Sequence, residues 1–136
     1  MPYYAHIRQD ENGQTIYQTV AEHLTGTAAL CREFAADFGA EADGDLIGLA
    51  HDLGKCTDAF QKRLLEGGPV VDHTMTGMLT CIKMKRPSAA ACAAGHHGGL
   101  LDVGNLRTDR AGEATLSGRF KRAWRDTILS AAARAA

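Results

Sequence analysis

Imidazole occurs in this chain on the faces or at the ends of four apolar, helix-patterned segments, and any fold must account for where those ends meet. His23 lies beside the apolar stripe of the first segment. His51-Asp52 ends the second, Asp72-His73 opens a later one, and His96-His97 follows another within Gly95-His96-His97-Gly98-Gly99. Only a fold that packs these segments side by side can bring the four positions to one place.

The periodicity supports such a fold. Val20, Leu24, Thr27, Cys31, Phe34 and Phe38 step by four and three residues along one helical face, which Gly39 stops. Asp45 is placed to cap a second helix carrying Leu46, Ile47, Leu49, Ala50 and Leu53, ended by Gly54. Thr57 or Asp58 starts a third, with Phe60, Leu64 and Leu65 inward. Asp72 opens a fourth, with Met75, Met78, Leu79 and Ile82 inward, and Pro87 closes it. Ser88 caps a short fifth over residues 89–94, residues 95–118 read as a long polar loop, and Ser117 caps a last amphipathic helix with Phe120, Trp124, Ile128 and Leu129. Residues 1–17 read as an extended arm or small hairpin turning at Asn12-Gly13. The expectation is one all-α domain over residues 1–136, a helical bundle. Its end at Ala131–Ala136 has no stop signal and is read as a trimmed chain or a fold without its last helices.

Net charge narrows the partners. At -1, with a pI near 6.6, the chain has no global field for nucleic acid. DNA contact would need bound cations or a local patch: Lys83, Lys85 and Arg86, or Arg119, Lys121, Arg122 and Arg125. Such tracts are more often solvated helix faces. Trp124 has the spacing of a core or interface residue rather than a base-stacking one. Cys31, Cys56, Cys81 and Cys92 form no C-x-x-C pair, so free thiols are expected, with Cys31 and Cys81 in the core. The short apolar runs suit neither a membrane span nor a signal peptide, and cytoplasm is the default location.

Two divalent cations held close together need ligands from several elements and a carboxylate able to bridge them. Imidazole suits transition metals and carboxylate oxygen suits harder ions. Such a pair lowers the pKa of bound water to about 7 and clamps a phosphate. Each histidine alone has a plainer reading, as a core, helix-end or loop residue. His6 is expected to make a structural hydrogen bond, and Lys55 reads equally as a solvated charge or a phosphate contact.

The residues resemble a known family. His51-Asp52-Leu53-Gly54-Lys55 matches the signature of the HD superfamily of metal-dependent phosphohydrolases. The order His23, His51-Asp52, His73, His96-His97 is similar to the HD nuclease domain of the type I CRISPR-associated helicase-nuclease. Accessory stretches match too: Tyr4-Ala5-His6, Phe60-Gln61, Asp72-His73-Thr74 and His96-His97-Gly98-Gly99-Leu100. The resemblance implies that His23, His51 and Asp52 help hold one metal, with Asp52 bridging to a second held by His73, His96 and His97. Lys55 would steady a phosphate or the Asp52 carboxylate. It implies one or two divalent ions (manganese, iron, nickel, cobalt, magnesium or zinc) and hydrolysis of single-stranded DNA by metal-activated water in CRISPR interference. It also implies a helicase domain or subunit and an RNA-guided surveillance complex as partners, and no membrane.

One departure stands out. The family adds a late aspartate to the first metal, and neither Asp109 nor Asp126 has the expected neighbours. The His73 side should therefore fill more readily than the His23 side. Competing readings are an HD phosphohydrolase acting on a nucleotide or cyclic dinucleotide, and an inactive HD domain that docks a partner. The cyclic dinucleotide enzymes continue with Glu after the histidine pair and a Gly-Tyr-Pro stretch, where this chain has Gly98-Gly99-Leu100.

Overall fold

A computed structural model describes residues 2–135. The chain opens with a hairpin, β1 (Tyr4–Gln9) and β2 (Thr15–Thr19), whose turn contains Asn12-Gly13 with Gly13 in the left-handed region. Six α-helices follow: α1 (Val20–Ala36), α2 (Glu41–Ala50), α3 (Asp58–Glu66), α4 (Thr74–Lys83), α5 (Pro87–Gly95) and α6 (Leu116–Ala135). A short 3₁₀ helix, Leu53–Cys56, links α2 to α3. The all-α reading holds, with one small sheet added at the start.

Helix starts follow capping chemistry where a polar side chain is in position. Thr19 and Glu22 form a reciprocal capping box at α1, and the Thr57 hydroxyl accepts from the Phe60 amide at α3. The Asp72 carboxylate accepts from the backbone and hydroxyl of Thr74 at α4. Three expected caps are not used. Helix α2 begins at Glu41, ahead of Asp45, and α5 begins with Pro87, so that proline opens a helix instead of closing one. Ser117 lies inside α6, which begins at Leu116, and the Thr115 hydroxyl accepts from the Gly118 amide in its place. Gly54 does not end a helix either; it is buried inside the 3₁₀ turn.

Helices α1 and α2 pack backbone to backbone. A Cβ at Gly44 would come within 2.8 Å of Ala35 Cβ, and one at Gly48 would collide with Ala28. This close approach moves the buried face of α1 to Val20, Leu24, Ala28 and Ala35, and leaves Phe34 and Phe38 exposed. Leu65, Trp124, Ile128 and Leu129 are exposed as well, against the inward reading of those helices. The main core lies between α4 and α5, where Met78, Cys81, Ala89 and Ala93 are buried, with Ala50 of α2 and Ala123 of α6 against it. Cys31 is only partly buried, and all four cysteines are free thiols. Met78 is fully buried, and truncating such a side chain to alanine costs about 2–5 kcal/mol.

The hairpin is tied onto the helices by Gln61. Its side-chain amide donates to the carbonyls of Tyr4 (2.8 Å) and Lys55 (2.7 Å) and accepts from the Tyr4 amide (3.0 Å). Ala5 is thereby buried against Val20 and Leu24, and His6 is delivered beside Lys55. Helix α6 runs to Ala135, in line with the helical reading of the chain end; Met1 and Ala136 lie outside the described residues.

Candidate metal centre

The four histidine-bearing positions converge. His23 comes from the second turn of α1, His51 and Asp52 from the end of α2, His73 from the start of α4, and His96 and His97 from the end of α5. Two glycines permit the convergence. A Cβ at Gly54 would strike the His73 carbonyl, and one at Gly77 would strike the Ala50 carbonyl. Without side chains there, the 3₁₀ turn carrying Asp52 sits directly on the start of α4.

The Asp52 carboxylate is buried at the middle of the cluster. Its Oδ2 lies 2.9 Å from His23 Nε2, 3.2 Å from His51 Nε2 and 2.9 Å from Lys55 Nζ. Its Oδ1 lies 3.2 Å from His73 Nε2 and 3.2 Å from His96 Nε2. Yet Oδ1 receives no properly directed hydrogen bond. The two imidazole nitrogens near it are close but not aimed at it, as when lone pairs converge on a shared point.

The tautomers point the same way. His51 Nδ1 lies 2.9 Å from the Gly48 carbonyl and His96 Nδ1 lies 2.8 Å from the Ala93 carbonyl. A carbonyl only accepts, so each Nδ1 carries the proton, and the neutral ring then faces Asp52 with the bare Nε2 of a metal ligand. His73 Nε2 also approaches His97 Nε2 at 2.8 Å, and His23 Nε2 approaches His51 Nε2 at 3.1 Å. Two neutral nitrogens facing each other so closely need a proton or a cation between them. Phe60 packs edge-on to the His73 ring at 5.2 Å and fixes its plane.

Charge follows from this packing. Burial alone would raise the Asp52 carboxyl, but the His51, His73 and His96 imidazoles and the Lys55 ammonium outweigh it and hold it far below the usual range. His96 is raised by Asp52 against its own burial. His23 is lowered because burial outweighs the pull of Asp52, and His97 is lowered by burial and by its imidazole neighbours.

Two groups of ligand atoms result. Asp52, His73, His96 and His97 offer atoms all within 4.8 Å of one another, and so do His23, His51 and Asp52. All six sequence-predicted ligand residues are therefore brought together. Lys55 is also present, but it is buried and paired with Asp52, which favours the carboxylate-steadying reading over the phosphate contact. His6 was legible only as a structural residue. Its Nε2 accepts from Lys55 at 3.0 Å while its Nδ1 donates to the Gln18 side chain at 2.9 Å. No local spacing signals that contact, which depends on the docked hairpin.

No late aspartate joins the cluster among the described residues. Asp109 ties down its loop, accepting from the Asn105 amide and the Thr115 and Ser117 hydroxyls, and Asp126 pairs with Arg125. No helix among the described residues is long and apolar enough to cross a membrane. The HD domain family model matches residues 20–130, a span that includes every histidine of the cluster and most of α6. No curated protein matches the chain.

Proposed function

The chain belongs to the HD domain family, whose general activity is metal-dependent phosphohydrolysis, and on that premise we propose that it is a nuclease domain hydrolysing phosphodiesters of single-stranded DNA in CRISPR interference. The observation that carries the metal part of this reading is the buried, undonated Oδ1 of Asp52, surrounded by imidazoles whose bare nitrogens converge beside it. A carboxylate in that position suits a divalent cation, which would take the place of the proton that Asp52 draws onto His96.

In this reading Asp52, His73, His96 and His97 hold one cation, and His23, His51 and Asp52 help hold a second. A divalent ion bound there lowers the pKa of a coordinated water and neutralises phosphate charge. Lys55, fixed by Asp52 and His6, holds the carboxylate in place. The carbonyls of Gly48 and Ala93 keep His51 and His96 in the ligating tautomer. The imidazole and carboxylate donors suit a divalent ion such as manganese, iron, nickel, cobalt, magnesium or zinc.

A polymeric substrate suits the cleft beside His73 and His97, which is about 420 Å³ and open to the surface. Residues 1–136 form one nuclease domain in this proposal, working in the cytoplasm with a helicase domain or subunit and an RNA-guided surveillance complex. The exposed Trp124, Ile128 and Leu129 on α6 offer an apolar contact surface of the kind such partners cover. The second reading, an inactive docking domain, is favoured by one observation: neither Asp109 nor Asp126 completes the His23 side.

The test is hydrolysis of single-stranded DNA, deoxynucleotides and cyclic dinucleotides with saturating manganese. Cleavage of single-stranded DNA alone supports the proposal. Cleavage of either small substrate in its place refutes the nuclease reading, and hydrolysis of none supports the docking domain.

A further inference from the structure

The four cations at the start of α6 are not equivalent. Lys121 Nζ donates to the Asp109 carbonyl at 2.6 Å, Arg122 Nη2 to Asp72 Oδ2 at 2.7 Å, and Arg125 Nε to Asp126 Oδ1 at 3.3 Å. Arg119, like Lys121, makes no ion pair among the described residues, but its Nη1 donates to the Ala94 carbonyl at 3.3 Å. That bond holds the guanidinium against the last turn of α5, immediately before the His96-His97 pair.

Arg119 lines the cleft that also contains His73, His97, Asp72 and Gly98. Asp72 offsets its charge only in part, because Arg122 and Arg119 both act on that one carboxylate. Asp72 Oδ1 is engaged by Thr74, and Oδ2 by Arg122. One carboxylate against two guanidiniums leaves one positive charge in the cleft, beside the imidazoles of the four-residue group. The cleft is open beside Gly98, where a Cβ would meet nothing within 4 Å. A planar guanidinium with free N–H groups suits phosphate oxygens.

We propose that Arg119 binds a backbone phosphate of the substrate strand next to the one that is hydrolysed. This makes it a specificity-determining residue that favours a strand over a mononucleotide. The inference rests on the phosphodiesterase reading of the metal centre, and its test separates the two.

The probe is a fluorescently labelled oligothymidylate of about twelve nucleotides, long enough to span one single-strand binding site, titrated with the full chain in EDTA and read by anisotropy. Arg119→Ala is expected to weaken binding about tenfold. It is also expected to lower the slope of log affinity against log salt by about 0.7. Arg119→Lys recovers part of the affinity, and Arg125→Ala binds as the unaltered chain does. Manganese content by elemental analysis stays unchanged in Arg119→Ala. Equal binding by Arg119→Ala and the unaltered chain overturns the proposal, as does failure of the unaltered chain to bind the probe. Arg119-dependent binding without manganese-dependent cleavage leaves this subsite standing and removes the hydrolase reading.

Discussion

The two oxygens of Asp52 face different surroundings. Oδ2 has a buried ammonium at 2.9 Å and His23 at the same distance, so the protein itself neutralises that side. Oδ1 has two imidazoles at 3.2 Å and no directed donor. The difference teaches where a cation is needed. Lys55 repels one on the Oδ2 side, whereas the Oδ1 side gains its missing charge partner from one. Ligand number agrees with charge: four residues gather on the Oδ1 side and three on the other. On the proposed reading, the first cation binds between Asp52, His73, His96 and His97.

The most severe way to break this comparison is to remove the shared carboxylate. Asp52→Ala abolishes manganese-dependent hydrolysis and leaves the helical content by circular dichroism intact, since the main core lies between α4 and α5. Retained cleavage would defeat the metal mechanism. Next comes a test of the asymmetry itself. His73→Ala weakens the first manganese equivalent by about 100-fold or more, while His23→Ala spares it and weakens only the second. Equal losses in calorimetric titrations of the two variants would contradict the unequal sides.

Lys55→Met sharpens the comparison from the other direction. It leaves the Asp52 carboxylate without its ammonium and costs about 3 kcal/mol of stability, as breaking a buried pair does. In return, the His23 side takes its cation more tightly. Manganese content below that of His73→Ala would argue against the assignment. Proton competition gives a gentler test. In the metal-free protein His96 titrates above 6.5, and His23 and His97 titrate below it, which imidazole proton resonances can follow. The raised His96 contributes stability in full below 6.5 and loses it as pH rises through its folded value. The lowered His23 and His97 act oppositely and cost stability as pH falls below 6.5. The first cation must displace the His96 proton, so its affinity falls as the solution becomes acidic. The smallest expected effect is that of Asp126→Asn, which leaves metal content unchanged; a loss would reveal a ligand that the Asp126–Arg125 pairing hides.

Much of this was legible in the residues. The ordered histidines and the His51-Asp52-Leu53-Gly54-Lys55 stretch identified the ligand candidates, because ligand chemistry restricts residue type at each position. Gly54 also looked like a helix stop; its actual task, clearing space for the His73 backbone, is a tertiary contact that no local pattern encodes. Phe34 and Phe38 fit a helical stripe, but the α1–α2 contact at Gly44 and Gly48 turned a narrower alanine face inward. His6 and Arg119 reach the neighbourhood of the centre only through the docked hairpin and the return of α6, and both placements depend on long-range packing.

The most direct measurement is anomalous scattering at the manganese edge from crystals of the chain given one equivalent of manganese. The account predicts a single peak bounded by Asp52 Oδ1, His73, His96 and His97. A first peak between His23, His51 and Asp52 Oδ2, or no peak in the cluster, would contradict it.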